Sequence, residues 1–194
     1  MAGSDELRPT TPGVKLTYDD FVLFPDDGKR HELIDGEHYV TPSPNTKHQS
    51  IAWNLTVMIG AYLQKHPVGR AFAAPLDVVF SEFDVVEPDL LFISEARQSQ
   101  VLTPQHVRGA PDLVVEIGSP GTRKRDDTIK RRLYERFAVA EYWVIDADFD
   151  TIKVYRRGEA GYTRVAELML ESRDILTTEL MPGLELPLEG IFRD

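Results

Sequence analysis

Two carboxylates stand inside apolar stretches of this sequence. Glu116 follows Leu113–Val115, a short apolar run that predicts a buried strand, and Gly118 then breaks the pattern. Asp89 lies within a second such run, Val85–Ile93. A buried carboxylate needs a cation, a hydrogen-bond donor or a metal to offset the cost of leaving water. Both residues are therefore candidates for a functional site.

The two carboxylates converge if their strands are neighbours in one sheet. A hard cation such as Mg²⁺ prefers oxygen ligands from one or two carboxylates, with water completing its shell, and can generate a nucleophilic water. The competing interpretation is that each carboxylate only accepts hydrogen bonds at a strand end. Asp112, which also follows a proline, is the rival ligand. Its place at the start of its strand favours a role in anchoring the preceding loop.

The segment after the second carboxylate is basic although the protein is acidic. Six of the 22 Lys and Arg residues fall within the ten positions 123–132, among them Arg123 and Lys124. Such a local positive feature is able to meet phosphates. The alternative is a solvated helix face paired with neighbouring acidic residues. Lys130 and Tyr134 are four positions apart, so they share one face of the predicted helix.

Three histidines and two tryptophans are weaker candidates. His48 begins a predicted helix, where it could contact a phosphate or cap the helix, but an exposed histidine is the commoner case. His31 and His38 flank a turn and are too sparse for a zinc site. Trp53 and Trp143 are expected in the core.

The remaining sequence predicts the scaffold. Asp35-Gly36 between two β-prone runs predicts a hairpin, and apolar residues at three- and four-residue spacing predict a helix over 46–66. Short strands, an irregular surface loop over 94–110, a helix over 126–138 and further strands follow. This order predicts an α/β (α+β) fold with a mixed β-sheet flanked by helices and an N-terminal β-hairpin.

Length and composition limit the class of protein. The chain has 194 residues, 42% hydrophobic and 28% charged, which is ordinary for a globular protein with one sizeable core. We expect a flexible tail over residues 1–14 and a single domain over 15–194. No apolar run is long enough to cross a membrane, so no membrane partner is expected.

Cysteine content and charge exclude some functions. The absence of cysteine excludes disulfides, thiolate metal sites and a cysteine nucleophile, and a cytoplasmic location is expected. The N-terminal residues lack the basic start and apolar core of a signal peptide. The formal net charge of −10 argues against broad non-specific binding to nucleic acid, although it permits a local basic surface.

Several separated motifs resemble the Uma2 family of restriction-type endonucleases, which belongs to the PD-(D/E)XK nuclease superfamily. In chain order they are His31–Gly36, Val86–Leu90, Pro111–Ile117 with Ser119-Pro120, Lys130 with Tyr134, and Glu141–Asp146. The resemblance spans roughly residues 17–190 and implies a restriction-endonuclease-like core.

The resemblance also implies residue roles. Asp89 matches the aspartate of the PD motif, Glu116 the acidic residue of the second motif, and Glu32 an early glutamate that completes the acidic cluster. Gly118 departs from the superfamily pattern, which has a lysine there. In sequences similar to this one the helix lysine takes its place, here Lys130, whose ammonium we expect to point into the acidic cluster.

A second departure lies after the basic helix. Ala138 stands where glycine is usual in the family, and we expect this substitution to matter only for how the helix ends.

The activity implied by the resemblance is Mg²⁺-dependent hydrolysis of phosphodiester bonds in nucleic acid, with DNA favoured as substrate and Mn²⁺ as an alternative metal. Asp89, Glu116 and the backbone carbonyl of Ile117 would hold the metal. The expected substrate contacts are His48, Arg123, Lys124 and Tyr134. A homodimer would supply the two active sites that a double-strand cut requires.

Two other functions remain open on the sequence. A binding or assembly module that keeps the fold without turnover is favoured by Gly118 and by the acidic net charge. A metal-dependent hydrolase of small phosphate esters would use the same carboxylates. A wide positive rim around Asp89 would favour a nuclease, and a closed small pocket would favour the small-ester hydrolase.

Overall fold

The structure is a computed structural model that describes residues 13, 15–25, 27–41, 43–118 and 126–193, with only the backbone of Asp126. The flexible tail expected over residues 1–14 lies outside the described residues, apart from Gly13. So do Ser119-Pro120 and the candidate substrate contacts Arg123 and Lys124. Within the described part of the chain, no helix is both long and apolar enough to span a membrane.

The described residues form helices and strands in a mixed order. The helices are α1 (Tyr18–Phe21), α2 (Thr46–Lys65), α3 (Glu95–Val101), a π-helix (Asp126–Lys130), α4 (Arg131–Arg136) and α5 (Leu188–Ile191). The first strands are β1 (Arg30–Ile34), β2 (Glu37–Thr41), β3 (Gly69–Ala73), β4 (Val78–Ser81), β5 (Asp84–Val86), β6 (Leu90–Ser94) and β7 (Val107–Arg108). The later strands are β8 (Leu113–Gly118), β9 (Glu141–Asp146), β10 (Thr151–Gly158), β11 (Gly161–Met169), β12 (Ile175–Leu176) and β13 (Leu186–Pro187).

A six-stranded sheet in the order β11-β10-β9-β8-β6-β3 forms the centre of the fold. Only β8 and β9 run parallel within it; the other neighbours are antiparallel. The long helix α2 packs its buried residues Ile51, Leu55 and Ile59 against one face of this sheet. The mixed α/β fold expected from the sequence is confirmed.

Alternation along the central strands decides which side chains share the opposite face. Leu113, Val115 and Ile117 of β8 belong to the core under α2, whereas Val114 packs on the other side. Because successive strand residues point to opposite faces, Glu116 lies on the face of Val114. Asp89 stands two positions before Leu91, so the same alternation places it on that face. Glu116 therefore points away from α2, whereas Asp89, which directly precedes β6, still reaches His48 in the first turn of that helix.

The register between β6 and β8 brings these two positions side by side. The strands are antiparallel, with Leu90 opposite Val115 and Leu91 opposite Val114. Extending this register by one residue sets Asp89 opposite Glu116. Residues directly opposite on one face have Cβ atoms roughly 5 Å apart.

A five-stranded sheet in the order β2-β1-β5-β4-β7 supplies the second wall of the site. Its β1–β2 hairpin turns at Asp35-Gly36, where both residues have positive φ, as the sequence predicts. Pro88 and its neighbours carry the chain from β5 in this sheet to β6 in the central sheet. The run Val85–Ile93 is thus two strands in different sheets, and Asp89 stands where the second begins.

Three sequence predictions are wrong in detail. Residues 94–110 contain α3 and the short strand β7 rather than an irregular loop. The helix expected over 126–138 begins as a π-helix and ends at Arg136. Trp53 is 68% exposed on α2, whereas Trp143 is fully buried as expected.

The end of α4 explains where glycine would be preferred. Ala138 adopts φ of 62°, in the left-handed region that costs a residue with a Cβ about 1–2 kcal/mol. The backbone N–H of Val139 then donates to the carbonyl of Tyr134 and closes the helix. The helix therefore ends with an alanine in a conformation that glycine would adopt at lower cost.

We predict that Ala138→Gly stabilises the fold by about 1 kcal/mol, because glycine adopts positive φ without steric cost. Urea unfolding measures the change. Ala61→Gly is the matched control: Ala61 is exposed within α2, where glycine should instead destabilise by about 0.5–1 kcal/mol. Equal destabilisation by both substitutions would show that the conformation at Ala138 is not a source of strain.

Candidate active site

A buried lysine connects two glutamates from different sheets. The ammonium Nζ of Lys130 lies 2.7 Å from Oε1 of Glu32 and 2.8 Å from Oε1 of Glu116. All three side chains are at most 3% exposed. A buried charge is tolerated only when it is paired and hydrogen-bonded, and here each charge has an opposite partner. The ammonium thus points into the acidic cluster, where the sequence argument expected it.

The local backbone explains how Lys130 reaches this position. It ends the π-helix over residues 126–130, a rare conformation that occurs frequently at functional sites. The next helix, α4, presents Tyr134 on the same side, and its hydroxyl donates to the same Oε1 of Glu116. Burial, together with the charge of Glu116, raises the pKa of Tyr134 well above its usual value. Tyr134 therefore remains a hydrogen-bond donor at neutral pH.

Asp89 has both carboxylate oxygens engaged. Oδ2 accepts a hydrogen bond from the backbone N–H of Ile117 at 2.7 Å and lies 3.2 Å from Nε2 of His48. Oδ1 lies 2.8 Å from Nη1 of Arg30. Burial alone would raise the pKa of Asp89, but the contacts with His48, Arg30 and Ile117 outweigh it and hold that pKa well below its usual value. Asp89 is therefore ionised at neutral pH.

Arg30 and Glu87 belong to the site although the sequence argument missed both. The guanidinium of Arg30 donates from Nε to Oε1 of Glu87 at 2.7 Å while its Nη1 holds Asp89. Burial alone would lower the pKa of Arg30. The charges of Asp89, Glu116 and Glu87 outweigh that effect and raise this pKa above its usual value. One sequence signal was available: Arg30 stands two positions before Glu32, so both lie on one face of β1.

The charge of the cluster suits a hard divalent cation. The four carboxylates of Glu32, Glu87, Asp89 and Glu116 face two fixed cations, which leaves a formal charge of −2 with His48 counted as neutral. The donor set proposed for a metal is all oxygen, namely Asp89, Glu116 and the carbonyl of Ile117, as Mg²⁺ prefers. The residues present therefore fit the expected cation.

This set depends on water to complete the coordination shell. Within the described residues, no group of three or more His, Cys, Asp or Glu side chains is arranged to hold a metal. The proposed set contains only two side chains of these types, and its third ligand is a backbone carbonyl. Water would complete the shell, since Mg²⁺ usually keeps several of its waters.

An open cavity of about 460 Å³ adjoins this cluster at Arg30 and Glu87, which form part of its wall. Its lining includes Lys29, Arg30, Thr41, Ser43, Gln49 and Glu87. The lining mixes polar and apolar residues, and it carries two cations, Lys29 and Arg30, beside the carboxylate of Glu87. Arg30 belongs to both the cavity wall and the carboxylate cluster.

Other candidate residues occupy different places from those expected. His48 is only 8% exposed and contacts Asp89, while Asn45 caps α2 through its side-chain oxygen. Tyr134 is fully buried against Glu116 and faces no solvent. Both side chains contact the carboxylates of the cluster, and their contact with substrate stays a prediction.

The rival candidates lie apart from the cluster. Asp112 accepts hydrogen bonds from the backbone of Ser94 and from Arg97, so it anchors the loop before β8 as expected. His31 and His38 stack on each other on the hairpin, and His31 contacts Asp27.

We predict that Asp89→Asn destabilises the protein by about 3 kcal/mol at pH 7, because it removes one partner of a buried charge pair. The depressed pKa of Asp89 means that its contribution is fully present above the unfolded-state value of about 3.9 and is lost as pH falls below it. The free energy of unfolding should thus decline less steeply from pH 5 to pH 3 in Asp89→Asn than in the wild type. Parallel declines would contradict the ionic role.

Comparisons with known proteins agree with this fold. The sequence model of the Uma2 family, described as a putative restriction endonuclease, matches residues 18–189. The fold is similar to the crystal structure of a putative nuclease belonging to DUF820 from Anabaena variabilis ATCC 29413, with a TM-score of 0.75 and 22% sequence identity over 91% of this chain and 97% of that chain. A comparison with curated proteins gave no match. Because the family model covers well over half of the sequence, the chain belongs to the Uma2 family.

Proposed function

We propose that this protein is a metal-dependent endonuclease that hydrolyses phosphodiester bonds in nucleic acid, with DNA as its principal substrate. Mg²⁺ is the proposed metal, and Mn²⁺ an alternative. The proposed catalytic unit is a single domain over residues 15–194. A homodimer would bring two such sites to the two strands of a duplex.

The observation that carries this proposal is the position of Lys130. Its ammonium lies between Glu32 and Glu116. A lysine at Gly118, two positions after Glu116, would point to the same face of β8, so Lys130 is proposed to take its part. Phosphodiester hydrolysis builds negative charge on the phosphoryl oxygens, and a fixed cation in a water-poor site stabilises that charge strongly. The buried ammonium would stabilise the phosphoryl charge, and the carboxylates beside it would help to hold the metal.

Asp89, Glu116 and the carbonyl of Ile117 would hold the divalent cation, which when bound supplies an activated water and neutralises phosphate charge. His48 and the N–H of Ile117 fix one oxygen of Asp89, so its carboxylate stays oriented and ionised. Tyr134 fixes Glu116 in the same way through its hydroxyl. Glu32 holds the ammonium of Lys130 in place.

A catalytically silent binding module is the second candidate. It is favoured by the ion pairs themselves, because Asp89 and Glu116 already have cationic partners in Arg30 and Lys130. Such a module would bind nucleic acid with the same affinity whether or not a divalent cation is present.

A cleavage screen tests the proposal directly. We expect the wild type to cut nucleic acid with Mg²⁺ or Mn²⁺ and not with EDTA, and Glu116→Gln to abolish cutting because it removes a metal-binding charge. Glu141→Gln is the matched control, since Glu141 is an equally buried glutamate that pairs with Arg156 on the neighbouring strand. Cutting in EDTA, or undiminished cutting by Glu116→Gln, would refute the assignment. Metal-independent binding without cutting would favour the silent module.

We predict that Lys130→Met lowers the rate of cleavage by a factor on the order of 10² or more while Mg²⁺ binding is retained, because a transition-state contact is lost. Single-turnover cleavage and calorimetric titration with Mg²⁺ measure the two effects, and circular dichroism establishes that the variant is folded. Lys153→Met is the control, because Lys153 pairs with Asp127 outside the cluster. A normal rate in Lys130→Met would mean that this lysine does not replace the one absent at Gly118.

A further inference from the structure

The oxygen of Asp89 that a metal would need is held by an arginine. Ile117 and His48 occupy Oδ2, whereas Oδ1 is in contact with Nη1 of Arg30 at 2.8 Å. A divalent cation and a guanidinium cannot both bind one carboxylate oxygen at full strength. Each therefore weakens the other's hold on Asp89.

Arg30 is also held by a second carboxylate, that of Glu87. Its Nε stays with Glu87 at 2.7 Å, so the guanidinium is anchored even without Asp89. Its side chain is 18% exposed and lines the open cavity, so the contact with Asp89 is made at the cavity wall. The planar guanidinium fork matches the geometry of phosphate as well as that of carboxylate.

We propose that Arg30 exchanges between Asp89 and a phosphate of the substrate, and that it thereby couples metal binding to nucleic-acid binding. This inference rests on the proposed function, because it assigns a substrate contact within the same site. A phosphate in the cavity draws the guanidinium away from Asp89, and the divalent cation then binds Asp89 without a competitor. By thermodynamic reciprocity, the cation strengthens phosphate binding by the same factor.

The first measurement is the dissociation constant of Mn²⁺ for the protein without nucleic acid, read from the paramagnetic resonance signal of free Mn²⁺. Arg30→Gln should bind Mn²⁺ about tenfold more tightly than the wild type, since it removes a charge-assisted competitor. Arg30→Lys separates direct competition from charge repulsion, because it keeps the charge and loses the fork. It should also bind more tightly, by about threefold.

Arg97→Gln is the matched control. Arg97 holds the buried Asp112 with a single contact of 2.9 Å, as Arg30 holds Asp89. Asp112 stands just before the opposite end of β8 from Glu116. Arg97→Gln should leave the Mn²⁺ dissociation constant within about twofold of the wild type, since separated sites act independently.

The second measurement is the coupling itself. The affinity for a fluorescent single-stranded oligothymidylate is measured by anisotropy in EDTA and in Ca²⁺. The wild type and Arg97→Gln should bind about tenfold more tightly in Ca²⁺, and Arg30→Gln no more than about twofold, because its coupling element is missing.

The outcomes separate this inference from the proposed function. Mn²⁺ binding that is equal in the wild type, Arg30→Gln and Arg30→Lys would overturn the exchange and leave the nuclease assignment standing. Tighter binding in Arg30→Gln with wild-type binding in Arg30→Lys would reduce the effect to charge repulsion and also overturn it. A gain in oligothymidylate affinity with Ca²⁺ that is as large in Arg30→Gln as in the wild type would also overturn the exchange. A wild-type protein that binds no Mn²⁺ would remove both proposals.

Discussion

The ion pairs of the buried Lys130 ammonium are the interaction on which the site depends. They join three segments that are distant in the chain: β1 through Glu32, β8 through Glu116, and the π-helix that ends at Lys130. Burying these charges is costly, and breaking such a network leaves an uncompensated charge in the core. The network therefore fixes the hairpin sheet against the central sheet only while all three members are present. The same contacts fix the position of the Lys130 ammonium beside the carboxylates of Glu32 and Glu116.

The candidate site contains both carboxylates and cations, and the proposed reaction requires both kinds of charge. Carboxylates are required to hold a divalent cation, and cations are required to receive a phosphodiester. In this chain, Asp89 is contacted by Arg30 and Glu116 by Lys130, and the whole cluster keeps a net negative charge. On the proposed function, Lys29 and Arg30 in the cavity wall would meet the phosphates, although the protein has a formal net charge of −10. If the proposed function holds, this charge balance would make substrate binding depend on the metal more than on general affinity for polyanions.

The sequence identified the carboxylates better than their neighbours. Asp89 and Glu116 stood out because charged residues in apolar runs are costly, and strand alternation then placed them on one face. The position of Lys130 followed from a family resemblance. The contacts of Arg30 and His48 with Asp89 could not be predicted, because they are tertiary: Arg30 meets Asp89 across 59 positions of the chain. Trp53 was misplaced because the prediction used the general preference of tryptophan for the core. Its position midway between Ile51 and Leu55 puts it on the opposite side of α2 from the buried face.

The most direct test of the account is a crystal structure of the protein soaked with Mn²⁺, with diffraction measured at the manganese absorption edge. The account predicts an anomalous peak in bonding contact with the carboxylates of Asp89 and Glu116 and with the carbonyl of Ile117. It also predicts that the ammonium of Lys130 remains beside Glu32. A peak elsewhere, or none at this cluster at saturating Mn²⁺, would contradict the proposed metal site.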